Sequence, residues 1–103
     1  MRRNAKIDAN QPEIVKVFRD LQCSVRHTHQ LPDGGGDIIV GCRNLNCLVE
    51  IKDGSKAPSE RKLTEDEERF MKGWKGMYRV VNSVDDAIAL VAEMCAMAQA
   101  LEA

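Results

Sequence analysis

The chain has no long apolar run, no excess of charge of either sign and no close-spaced cysteine pair, and each absence excludes something. The C-terminal stretch comes nearest to a membrane span, but Asp85, Asp86 and Glu93 interrupt it. Met1 to Asp8 is polar with no apolar core behind it, so no secretory signal is read there. A formal charge of −1 and an isoelectric point near 6.1 exclude a globally basic nucleic-acid binder, leaving any phosphate contact to local clusters. Cys23, Cys42, Cys47 and Cys95 are expected to be reduced thiols of a cytoplasmic protein. At 103 residues, without repeats or low-complexity segments, the chain is expected to be one domain, residues 1–103.

Asn10 to Gln22 has the spacing of an amphipathic helix, with Ile14, Val17, Phe18 and Leu21 on one side. Asn10 is placed to cap it, Pro12 suits its first turn, and Glu13 follows three residues after the cap. Cys23 to His29 alternates as a strand, and Leu31 to Gly36 reads as a turn that permits close backbone approach. Asp37–Cys42 and Cys47–Lys52 are two apolar strands joined by a turn at Arg43–Asn46. After a polar loop from Asp53 to Leu63, Thr64 opens a helix to Trp74, with Glu67 completing a capping box. Tyr78–Asn82 is a fourth strand, and Ser83 caps a last helix from Val84. The order α-β-β-β-α-β-α predicts an α/β fold with a mixed sheet flanked by helices. The last helix carries a wide apolar stripe, including Ile88, Val91, Met94 and Leu101, which suits either a core helix or a subunit interface.

The hairpin carries the chemistry. A two-residue turn at Asn44–Leu45 would set Asp37 opposite Lys52 and Glu50 opposite Ile39, one diagonal step from Asp37. Asp37, Glu50 and Lys52 then share one face, and the apolar residues Ile38, Val40, Cys42, Cys47, Val49 and Ile51 share the other. An ordinary cross-strand ion pair is the plain alternative, but two neighbouring carboxylates repel unless a cation or Lys52 lies between them. Two acids and an ammonium suit metal-assisted cleavage of a phosphodiester, and an oxygen-only donor set suits a hard cation. Two basic clusters could hold the backbone of DNA. One is Arg2, Arg3 and Lys6, in an arm over residues 1–8 expected to be flexible; the other is Lys56, Arg61 and Lys62, just downstream of the acids. A zinc site from Cys42, Cys47, His27 and His29 is the rival, although both cysteines fall on the apolar face where small buried thiols are common.

The early helical Glu, the strand that begins at Asp37 and the Glu50-Ile51-Lys52 motif before another helix resemble the PD-(D/E)XK nuclease superfamily. The likeness is greatest to small phage and prophage VRR-NUC-type nucleases, relatives of Holliday-junction resolvases. It spans Ala9 to Ile88 and includes Gly34-Gly35-Gly36-Asp37-Ile38-Ile39-Val40-Gly41 and Leu48-Val49-Glu50-Ile51-Lys52-Asp53-Gly54. Gly36 stands where the family often has Pro before the Asp; the literal Pro32-Asp33 lies in the turn. Relatives often carry Gln in the second helix where this chain has Glu67, which is read here as a cap only. The resemblance implies a restriction-endonuclease-like core that binds Mg²⁺ or Mn²⁺ through Asp37, Glu50, the Ile51 carbonyl and Glu13. Lys52 would orient or activate the attacking water. It implies a structure-specific DNA endonuclease acting on branched DNA such as four-way junctions, as a homodimer. A DNA-binding module that does not cut and a small zinc or thiol interaction protein are the alternatives.

Overall fold

The computed structural model describes residues 8–28, 30–31 and 35–102. The elements are α1 (Gln11–Asp20), β1 (Ser24–His27), β2 (Ile38–Cys42), β3 (Leu45–Ile51), a 3₁₀ turn (Pro58–Glu60), α2 (Glu65–Gly73), β4 (Met77–Val81) and α3 (Val84–Glu102). The α/β class and the order of helices and strands are those expected. A single four-stranded sheet runs β1-β2-β3-β4, antiparallel except for the parallel β3–β4 pair that α2 connects. Among the described residues, no helix is long and apolar enough to cross a membrane.

One face of the sheet makes the core. Ile38, Val40 and Cys42 from β2 and Cys47, Val49 and Ile51 from β3 are buried there under α1 and α3. From α1, Ile14, Val15 and Phe18 recur at helical spacing, and from α3 Ala87, Leu90, Val91 and Met94 do the same. Each large side chain fully buried here contributes about 1.5–3 kcal/mol of transfer free energy. Helix α1 ends where Gln22 takes a left-handed conformation (φ 70°) and the Cys23 N–H donates to the Phe18 carbonyl at 3.0 Å. Ser83 caps α3 as expected, its Oγ accepting from the Asp86 N–H at 3.2 Å.

Two local expectations are corrected. The hairpin turn is Arg43–Asn44, both with positive φ (53° and 68°), as a tight two-residue hairpin requires. Cys42 therefore pairs with Leu45 and Ile38 with Val49, which moves the register by two residues and leaves both faces intact. Cys42 and Cys47 are consequently not partners; Cys47 pairs with Val40. Asn10, in turn, makes no capping hydrogen bond from its side chain. Its Nδ2 donates instead to the carbonyls of Lys52 and Asn82, both at 3.1 Å, and so ties the ends of β3 and β4 to the start of α1.

Candidate active site

The second sheet face carries the polar cluster. Extending the β2–β3 register by one step sets Asp37 beside Glu50, closer than the diagonal step expected from sequence. Their carboxyl groups are hydrogen-bonded to each other, which two fully ionised carboxylates cannot do. Asp37 is fixed further by the Ile51 N–H, which donates to its Oδ2 at 2.7 Å. The backbone before it is equally constrained. Gly36 has φ of +100°, and a Cβ there would lie 3.2 Å from the Val49 carbonyl oxygen. A glycine ahead of the strand is therefore required by conformation.

Lys52 completes the cluster from the end of β3. Its Nζ lies 2.8 Å from Glu67 Oε1 and 3.7 Å from Glu50 Oε2. Glu67 is thus more than the cap expected from sequence. The capping box exists, with the Thr64 N–H donating to Glu67 Oε1 at 2.8 Å and the Glu67 N–H donating to Thr64 Oγ1 at 3.2 Å. The same Oε1 also receives the Lys52 ammonium. Only the likeness to relatives that carry Gln in this helix hinted at it.

Charge follows from this packing. Burial, then the charge and hydrogen bond of Asp37 and those of Glu67, pushes Glu50 up to about 10. Asp37 is also raised: burial outweighs the Ile51 N–H and the Glu50 bond, and Asp8 and Glu67 add to it. Burial disfavours the Lys52 ammonium, but the hydrogen bond to Glu67 and the surrounding carboxylates outweigh it and raise its pKa. Lys52 is therefore a cation at neutral pH. Burial opposes ionisation of Glu67 too, yet Lys52 and the Thr64 N–H prevail and hold it below the usual carboxylate range. Burial and then the Glu50, Glu67 and Asp37 charges raise Tyr78, which is also hydrogen-bonded to Glu50.

The remaining sequence candidates fall elsewhere. Glu13 is on the exposed side of α1 and lines an open cavity of 690 Å³ with Asn10, Asp53, Arg61, Asp85 and Asp86. Neither Asp37 nor Glu50 lines that cavity. The acid whose charge reaches Asp37 from the start of α1 is Asp8, which no motif in the sequence singled out. Lys56 and Lys62 are exposed on the connection from β3 to α2, and the Arg61 Nε donates to the Lys56 carbonyl at 3.1 Å. Arg2, Arg3, Lys6 and His29 lie outside the described residues. The four cysteines are free thiols, three of them buried.

Among the described residues no three His, Cys, Asp or Glu side chains are arranged as a ready-made metal-holding group. The donor chemistry nevertheless fits a hard divalent cation of the Mg²⁺ kind, which needs only one or two protein carboxylates beside water and substrate oxygens. Asp37 and Glu50 are two such carboxylates, pressed together and short of compensating positive charge. Comparison with family models, curated proteins and solved structures found no match.

Proposed function

We propose that this protein is a metal-dependent DNA endonuclease that hydrolyses phosphodiester bonds in branched DNA such as four-way junctions. The observation that carries this reading is the grouping of Asp37, Glu50, Lys52 and Glu67 on one sheet face, with both acids of the hairpin held against each other and one committed ammonium beside them. The resemblance to PD-(D/E)XK nucleases from residues 9–88 supports it, since the Asp and Glu-x-Lys residues of that motif are those in the cluster.

Asp37, Glu50 and the Ile51 carbonyl would hold Mg²⁺ or Mn²⁺, with Glu13 a further ligand only if α1 presents it to the site. When bound, the cation would supply charge for the scissile phosphate and lower the pKa of water. Lys52, kept protonated by Glu67, donates hydrogen bonds to the phosphate oxygens and offsets charge as the fifth phosphorus–oxygen bond forms. Its charge state favours that role, or orienting the water, over removing the water's proton. Glu67 acts through Lys52, holding it in place by the same oxygen that starts α2.

The substrate is recognised in this reading by DNA shape and not by base sequence. Paired incision of a junction follows from a two-fold homodimer in the cytoplasm of a bacterial host, with Arg2, Arg3, Lys6, Lys56, Arg61 and Lys62 meeting the phosphates. Labelled four-way junctions, flaps, duplex and single strands, incubated with Mg²⁺ or Mn²⁺ beside Asp37→Asn and Lys52→Ala, test this. We expect paired junction incisions, reduced about 10³-fold or more in both variants. Cleavage of every substrate alike would remove the junction preference, and tight binding without any cutting would leave a DNA-binding module.

A further inference from the structure

The chain has one Trp, one Tyr and two Phe, and three of these four aromatics stand in a single file beside the carboxylates. Tyr78 forms the inner end, buried on the second sheet face and hydrogen-bonded to Glu50. The Phe70 ring follows at 5.9 Å, tilted by 44°. Trp74 follows at 5.2 Å from Phe70, nearly parallel at 18°, and is 45% exposed. The close backbone approach of Gly35 lets Phe70 sit there, since a Cβ on Gly35 would lie 3.2 Å from its ring.

A lone exposed aromatic is ordinary. This one is the outer plate of a stack whose inner plate touches the candidate active site. Helix α2, which carries Phe70 and leads into Trp74, buries none of its residues, so the indole is not needed to cover a core. The first turn of α2 is acidic (Glu65, Asp66, Glu67, Glu68), with Arg69 paired to Asp66 and Lys72 to Glu68, and Lys75 follows Trp74 directly in the chain. An exposed ring stacked on a second ring, in file with a Tyr that touches the candidate acids, is the feature set that holds a nucleobase through stacking.

We propose that Trp74, stacked on Phe70, is a platform for one unpaired DNA base, so that the substrate presents a single-stranded segment or an unstacked branch point to the carboxylates. The platform needs only DNA binding; what happens to the bound strand rests on the nuclease reading. An intact duplex keeps its bases stacked on one another and offers this surface none.

Trp74 is the chain's one indole, so its fluorescence reports the platform directly. Metal-free protein is titrated with a twelve-residue oligothymidine, with an abasic strand of equal length, and with a blunt duplex. We expect quenching by the thymidine strand alone, and about 10- to 100-fold weaker binding of that strand by Trp74→Ala. Trp74→Phe should recover part of the loss, and duplex affinity should not change in either variant. Because Trp74 follows the end of α2, a helix without buried residues, and is 45% exposed, both variants should melt close to the parent. Equal quenching by the abasic strand, or unchanged affinity in Trp74→Ala, overturns the platform. Cleavage of branched DNA without quenching would overturn it while leaving the nuclease reading in place. Quenching without cleavage by any metal would do the reverse.

Discussion

The two faces of the sheet are built from alternate residues of the same strands, yet they answer to opposite demands. On the face under α1 and α3 every strand residue of β2 and β3 is apolar, and all but the partly buried Leu45 are buried. On the other face Glu50 is as well buried, at 6% exposure, and is an acid placed against another acid. The helix above that face, α2, buries no residue and is held by single contacts: the Lys52–Glu67 pair, the capping box and the Phe70 ring on Tyr78. The first face is where folding free energy is gained. The second loses some of it to keep charges together, which is how functional sites commonly differ from cores. A pleat of period two lets both coexist, because the two patterns never share a residue position.

Damage to the core face should be largest in stability and smallest in chemistry. Phe18→Ala removes a fully buried ring and should cost about 3–5 kcal/mol, read as a fall in the urea midpoint. Cleavage per folded molecule, at a temperature where the variant remains folded, should stay within a few-fold of the parent. A loss of cleavage as large as that of Asp37→Asn, in protein shown to be folded, would mean that the two faces are not separable.

Glu67→Gln sharpens the comparison inside the site. Gln still accepts from the Thr64 N–H and Lys52, so the cap and the melting temperature should hardly change. The uncharged amide no longer favours the Lys52 ammonium, so we expect cleavage to fall about tenfold and the alkaline limb of its pH profile to move to lower pH. A purely structural role would lower the melting temperature and leave the pH profile where it was.

The smallest effect concerns pH. Glu50 is an acid whose folded-state pKa, about 10, lies above its ordinary value of 4.5, so the folded protein holds a proton that the unfolded chain has released. Between those values stability falls as pH rises. Thermal melts from pH 5 to 9 should show a decline that is shallower in Glu50→Gln, whose melting temperature near pH 8 should exceed the parent's by about 4–8 °C, the equivalent of ~1 kcal/mol in a domain of this size. Millimolar Mg²⁺ should raise the parent's melting temperature and not the variant's. A variant less stable than the parent at pH 8 would show that the carboxyl pair holds the hairpin together rather than straining it.

Much of this was legible in the chain. Period-two alternation in 37–42 and 47–52 named both faces correctly, and it did so although the turn was placed one residue late. The error was harmless because a shift of two in register returns every side chain to its own side. The turn itself was hard to place because Arg43 adopts positive φ without the Asn-Gly or Asp-Gly signature that announces such turns. The capping box at Thr64 and the cap at Ser83 were visible because a cap is a local pattern. Asn10, Asp8 and the second role of Glu67 were not, since each depends on contacts between segments far apart in the sequence. The aromatic file is of the same kind: Phe70 is on α2, Trp74 just follows the helix in extended conformation, and Tyr78 joins them from β4.

One oxygen atom, Glu67 Oε1, both starts α2 and holds Lys52. That double duty restricts what position 67 can become. Aspartate keeps the charge but is one methylene short, glutamine keeps the reach and the accepting oxygen but is neutral, and no other residue places a carbonyl-type oxygen at that reach. A descendant of this chain can replace Glu67 by glutamine and keep both contacts at the loss of the charge, whereas a shorter or non-accepting residue needs a second side chain for one of the two tasks. Changes of that second kind at position 67 should therefore arise in company, with an altered partner at Lys52, at Thr64 or in the helix turn between.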